Sequence, residues 1–116
     1  MADSEVRRGD VWWLDWEPAR GSAQAGFRPG LVIQNDVGNR AAPTTIVAAI
    51  TTRGRRLPVI VPLGETEAGL PEPSFVHTGQ IAIVDRSQLV RHVGRAGQQT
   101  MQEVDQAIRI SLGLLP

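Results

Sequence analysis

Apolar and polar positions alternate along most of this chain with the period of a β-strand. Residues 11–16 read Val-Trp-Trp-Leu-Asp-Trp. Alternation puts Trp12, Leu14 and Trp16 on one face and Val11, Trp13 and Asp15 on the other, which predicts a strand covered in part on both sides. Residues 31–34 form a short apolar run, and the Asn-Asp-Val-Gly-Asn of 35–39 reads as a turn. Residues 44–51 are rich in β-branched side chains and predict a third strand. Residues 58–62 predict a fourth, at a sheet edge because proline flanks it on both sides. Residues 75–78, 81–84 and 89–93 predict three more short strands.

The period then changes. Met101, Val104, Ile108 and Leu112 recur at helical spacing. Thr100 with Glu103 has capping-box spacing, Gly97 is an alternative N-cap, and Gly113 predicts the stop. Many short strands followed by one helix predict a mainly β fold, a small curved barrel with a C-terminal helix packed on it. With 116 residues and neither internal repeat nor linker, the expected organisation is one domain over 1–116.

Composition narrows the chemistry. The chain has no cysteine, which removes disulfides, zinc-thiolate sites and thiol nucleophiles. No apolar run approaches the roughly 20 residues that span a bilayer. The polar, acidic start, Met1-Ala2-Asp3-Ser4-Glu5, is unlike a signal peptide. These features predict a cytoplasmic protein with no membrane contact. Net charge is zero, but all 12 basic residues are arginine. A guanidinium can donate two parallel hydrogen bonds to phosphate, although a GC-rich genome enriches arginine as well.

No phosphate loop, dinucleotide fingerprint or paired-histidine metal motif is present. His77 and His92 fall in different predicted strands and read as packing residues before they read as an acid–base pair. The scattered acidic residues argue against a two-metal nuclease, so no metal or other cofactor is expected. What remains is arginine with a hydroxyl. Arg28 precedes Pro29, which favours an extended, stiff backbone. It closes a long 17–29 loop rich in small residues. Thr51 ends the third strand with the parity of Thr45, Val47 and Ala49, and the small Ala49 beneath it would leave room for a ligand. Arg53, Arg55 and Arg56 lie in residues 52–57, either a solvated basic turn or a rim that tracks phosphates.

Several motifs in one register resemble the MazF/PemK toxin family. They are Arg8-Gly9-Asp10-Val11-Trp12, Gly21-Ser22, Arg28-Pro29-Gly30-Leu31-Val32-Ile33-Gln34-Asn35-Asp36 and Ile46-Val47-Ala48-Ala49-Ile50-Thr51. Gln80-Ile81, Val84-Asp85-Arg86 and Val104-Asp105-Gln106-Ala107-Ile108 continue them. The resemblance implies an SH3-like barrel, a homodimer, a cognate antitoxin and cleavage of single-stranded RNA, such as mRNA, at short sequences. It also implies DNA binding by the toxin–antitoxin complex. Arg28 and Thr51 match the family's catalytic arginine and threonine. Ser22, Gln24, Arg53 and Gln80 are the expected RNA contacts. Many relatives carry an acidic residue where this chain has Ala23 and Gly79, arginine where it has Ala82, and a bulkier apolar residue where it has Gly30. Three other readings stay open: a gyrase-targeting toxin on the same fold, a non-catalytic SH3-like binding module, and an antitoxin-binding homologue that cuts poorly.

Overall fold

A computed structural model describes residues 5–16, 26–64 and 67–115. The loop residues Arg20, Ser22, Ala23 and Gln24 lie outside that set.

Six strands form one antiparallel sheet: β1 (Asp10–Asp15), β2 (Phe27–Val32), β3 (Thr44–Thr51), β4 (Ile60–Leu63), β5 (Ser74–Asp85) and β6 (Leu89–Arg95), in the order β4-β5-β3-β2-β1-β6. A short helix α1 (Asp36–Ala41) joins β2 to β3, and α2 (Gln98–Ser111) ends the chain. The Pro-flanked β4 sits at an edge, as proline's missing donor requires.

The alternation seen in the sequence sorts side chains into two apolar clusters, one on each face. Val11, Leu31, Ala48 and Ile50 join Val61, Val76, Val104 and Ala107 in the first, under α2. Trp12, Leu14, Trp16, Val32, Val47 and Ala49 join Val84 in the second. Leu14 and Leu31 are wholly buried, and each such side chain contributes about 1.5–3 kcal/mol through its removal from water. The sheet curls around the first cluster. Packing covers both edges: α2 lies on β4 and β5, and the turn at 67–69 lies on β6.

Two expectations are corrected. Residues 35–39 are not a simple turn but open α1. Asn35 caps it, its side chain accepting from Gly38 N at 2.8 Å. The same residue types that tolerate turns also satisfy helix-end donors. Asn39 is fully buried, accepts from Thr45 Oγ1 at 2.6 Å and donates to the Gln34 carbonyl at 3.0 Å. Arg86 closes this network by donating to the carbonyls of Asn39 and Ala42. Arg8 N and Asn39 donate to Asp36, which holds its carboxyl below the usual 3.8.

The second correction concerns β5, which is one strand and not two. Its partner on β3 jumps from Ile81 to His77 between Ala48 and Ala49, so residues 78–80 bulge from the ladder. A bulge bends a strand without ending it. The bend is pinned where Thr78 N and Oγ1 both donate to the Val59 carbonyl, at 2.9 and 2.7 Å, and where Ser111 Oγ donates to the Thr78 carbonyl at 2.9 Å.

The Arg8-Gly9-Asp10 motif proves structural. Asp10 is buried and accepts from Arg95 at 2.6 Å and from Arg7 N at 3.0 Å, while Arg8 pairs with Asp105 on α2 at 2.7 Å. Gly97 caps α2 with no side chain of its own, and its N–H donates to Glu67 at 2.7 Å. Burial raises the Glu67 pKa, but hydrogen bonds from Gly97, Thr100 and Gly64 together outweigh it and hold the carboxyl below its usual 4.5. Gly113, at φ +74°, follows the last turn of α2.

Candidate active site

β2 begins earlier than the apolar run suggested, so Phe27, Arg28 and Pro29 belong to a strand and not to the preceding loop. Leu14 of β1 lies opposite Arg28. On the other side, the ladder between β2 and β3 ends at the pair Gly30 and Ala49. Continued by two residues, that register sets Arg28 against Thr51. The strands part there because Pro29 has no N–H to offer.

The parting opens a cleft of about 290 Å³. Arg28 and Thr51 line it together. Trp13, Pro29 and Ile50, one position out of phase with them, line it too, with Phe27, Thr52, Leu70, Pro71, Glu72 and Ser74. The cleft therefore holds a cation, three hydroxyls, one carboxylate and two aromatic rings. Phe27 is 56% exposed, a solvent-facing ring next to the arginine. Exposed aromatics beside a guanidinium suit splayed bases and their phosphate. Trp13, Phe27, Glu72 and Ser74 were missed in the sequence. The one available signal was Phe27, an aromatic beside Arg28 in a segment otherwise made of small residues.

The Thr51 hydroxyl is held by a local turn: it accepts from Arg53 N at 3.1 Å and donates to the Arg53 carbonyl at 3.2 Å. Arg53 thus reaches the cleft through its backbone, and its side chain is exposed beyond the lining residues. Arg56 turns away to Glu103 on α2, at 3.4 Å, beside a separate groove. Ala49 does not make room for a ligand. It is wholly buried in the second apolar cluster, and the space lies beside Ile50 instead.

Gln80 sits in the β5 bulge and does not line the cleft. Its Oε1 is buried and unpaired, an acceptor left without a donor. His77 folds back so that its Nδ1 accepts from Gly79 N at 3.0 Å. A Cβ at residue 79 would come within 2.8 Å of that ring. The imidazole of His77 thus lies over the bare backbone of Gly79. His92 lies elsewhere, edge-on to Trp12 with ring centroids 5.3 Å apart and 3.4 Å from Asp10. The histidines form no pair, and neither reaches the cleft. Among the described residues no three metal-ligating groups cluster, and no helix is long and apolar enough to cross a membrane.

Residues 7–112 match the family model for the PemK-like, MazF-like toxin of type II toxin–antitoxin systems. The chain belongs to this toxin family. Endoribonuclease EndoA of Bacillus subtilis is 42% identical over 112 residues, which cover 95% of this chain and 97% of that relative. The crystal structure of MazF from Deinococcus radiodurans superposes with a TM-score of 0.82 at 25% identity, covering 96% of this chain and 99% of the other. An endoribonuclease in complex with its cognate antitoxin, from a mycobacterial species, shares the fold with a TM-score of 0.81 at 24% identity. It covers 96% of this chain and 98% of its own. The expected mainly β toxin fold with a C-terminal helix is what the sheet and α2 form.

Proposed function

We propose that this toxin is a sequence-specific, metal-independent endoribonuclease that cleaves single-stranded RNA, mRNA among its substrates, at the cleft between Arg28 and Thr51. Its activity is held in check by a cognate antitoxin, as type II systems require. The observation that carries the reading is the cleft itself: Arg28 and Thr51 both line it, two residues beyond the last pair of β2 and β3, with Trp13 and Phe27 beside them.

The chemistry needs little else. RNA supplies its own nucleophile, the 2′-hydroxyl. As O2′ attacks phosphorus its proton passes to water, the O2′–P bond forms, and the P–O5′ bond breaks, with O5′ taking a proton from water. The products are a 2′,3′-cyclic phosphate and a 5′-hydroxyl. Arg28 stabilises charge building on the phosphate oxygens through two parallel donors. Thr51 exchanges its bond to the Arg53 carbonyl for one to the phosphate. Bases stack on Phe27 and Trp13, and Ser22, Gln24 and Arg53 extend the contact along the strand. Gln80, on the β5 bulge outside the cleft with its Oε1 buried, is left out of this contact. Such a substrate places the protein's work in the cytoplasm.

The test is to incubate pure protein with a long transcript in EDTA and sequence the ends. Cleavage at a short recurring sequence, leaving 5′-hydroxyl ends, is expected. Intact RNA together with inhibited gyrase supercoiling would overturn the assignment.

The active form is a homodimer. Ile83 is 73% exposed on β5, and Leu112 and Leu114 are 53% and 68% exposed past α2. Apolar surface of this kind suits a two-fold interface in a chain with a limited core. Light scattering at micromolar concentration should give twice the 12.6 kDa chain mass, and a monomer mass would defeat the proposal.

A further inference from the structure

We propose that Trp16 is a positioning residue for the cleavage reaction, holding the Arg28 segment of β2 in place where that strand has lost its neighbour on β3. The inference rests on the reading of Arg28 as the group that binds the scissile phosphate.

The ladder between β2 and β3 stops at Gly30 and Ala49. Arg28 and Pro29 lie beyond it, and this separation is what opens the cleft. Beyond Gly30 the strand is held on its β1 side only, through the pairs Trp13–Pro29, Leu14–Arg28 and Asp15–Phe27, and a misplacement of about 1 Å near the chemistry costs on the order of 10²-fold in rate.

Trp16 restrains it at two points. Its indole Nε1 donates to the carbonyl of Arg28 itself, at 3.1 Å. The same ring lies over Gly30: a Cβ built there would sit 2.8 Å from Trp16 Cζ2 and 2.8 Å from Leu14 Cδ2. The missing side chain at residue 30 is thus the socket for the indole. Trp16 N also donates to the Gly26 carbonyl at 2.8 Å, which ties the residue before Phe27 to the end of β1.

Only 7% of Trp16 is exposed, so the hydrogen bond to Arg28 is shielded from competing water. Tryptophan alone among apolar side chains of this volume brings an N–H donor. Phenylalanine would fill much of the socket but leave the Arg28 carbonyl without this partner. Leucine would do neither. Gly30 and the tryptophan that covers it therefore act as a pair.

The test measures steady-state cleavage of a short RNA, with thermal melting of each variant. Trp16→Phe should lower kcat about tenfold with KM nearly unchanged and the melting midpoint close to that of the native protein, because a bond that aligns the transition state is lost and the packing is kept. Trp16→Leu should lower kcat further, and adding Gly30→Val should recover part of it by refilling the socket from β2. Gly30→Ala alone should impair cleavage, since its Cβ meets the ring. Unchanged kcat in Trp16→Phe overturns the proposal. So does a loss of kcat that follows the loss of melting midpoint across all four variants, because that would mark a purely structural residue. Arg28→Ala is the control. If it cleaves as the native protein does, the assignment of Arg28 itself fails. If it is inactive while Trp16→Phe is fully active, only the positioning role fails.

Discussion

Arg28→Ala is expected to lower the cleavage rate by a factor on the order of 10²–10³, the usual cost of removing one donor aimed at developing charge. The side chain is exposed at the cleft mouth, so its truncation leaves no cavity in either apolar cluster. Melting should change little, and the loss should appear in kcat. Arg28→Lys keeps the charge and loses the paired, planar donors, so it should recover only part of the rate. Thr51→Ala should also be severely impaired, but two effects mix there: the hydroxyl is lost, and so is the turn that it makes with Arg53. Thr51→Ser restores both bonds and should restore most of the rate. Single-turnover assays on one RNA would check the series. Cleavage by Arg28→Ala within about threefold of the native rate would remove the arginine from the mechanism, because so small a change is below the effect of any transition-state donor.

The strands were legible because the sheet buries both faces. Val11 and Trp12 are both buried but in different clusters, so alternation marked the register of β1 while both of its faces still read as apolar. The edge position of β4 followed from proline chemistry alone. The elements that were misread depend on distant partners. Asn39 is helical and buried because Thr45, Gln34 and Arg86 surround it, and no local pattern at 35–39 contains that information. β5 looked broken at Gly79-Gln80, yet Val59 and Ser111 hold the bulge so that the strand resumes beyond it.

The candidate site divides in the same way. Arg28 and Thr51 come from two adjacent strands; the place before Pro29 marked the first, strand parity the second, and the family resemblance both. Glu72 and Ser74 reach the cleft through the segment leading into β5, whose Phe75 pairs with Thr51 of β3. Their place depends on that long-range pairing, and nothing near them in sequence announces it. The chain has only three Trp and two Phe, yet Trp13 and Phe27 both line the cleft. Two rings suffice when the fold puts them beside the one arginine that matters.

A substrate carrying a single deoxyribose on the 5′ side of the scissile phosphate is expected to resist cleavage altogether while still binding. The outcome depends on which oxygen attacks. The cleft offers Thr51, Thr52 and Ser74 hydroxyls, none tethered to the phosphorus and each a weak nucleophile unless a base is held against it. No histidine lines the cleft: Nδ1 of His77 already accepts from Gly79 N, and His92 lies against Asp10. The Thr51 hydroxyl, for its part, is bonded to the Arg53 backbone. The 2′-hydroxyl of the RNA, by contrast, is tethered next to the phosphorus that it attacks, and such tethering is worth about 7–11 kcal/mol of barrier in favourable geometry. Removing that one oxygen should therefore abolish product, whereas removing any enzyme hydroxyl should only slow it. The deoxy substrate should act as a competitive inhibitor, with an inhibition constant close to the KM of the all-ribose RNA, since the phosphate, the stacked bases and the guanidinium contacts are all retained. Cleavage at the modified position, or a toxin–RNA adduct that survives denaturation, would instead make an enzyme hydroxyl the nucleophile. The cleft would then have to supply a base from Glu72, the one carboxylate among its described lining residues.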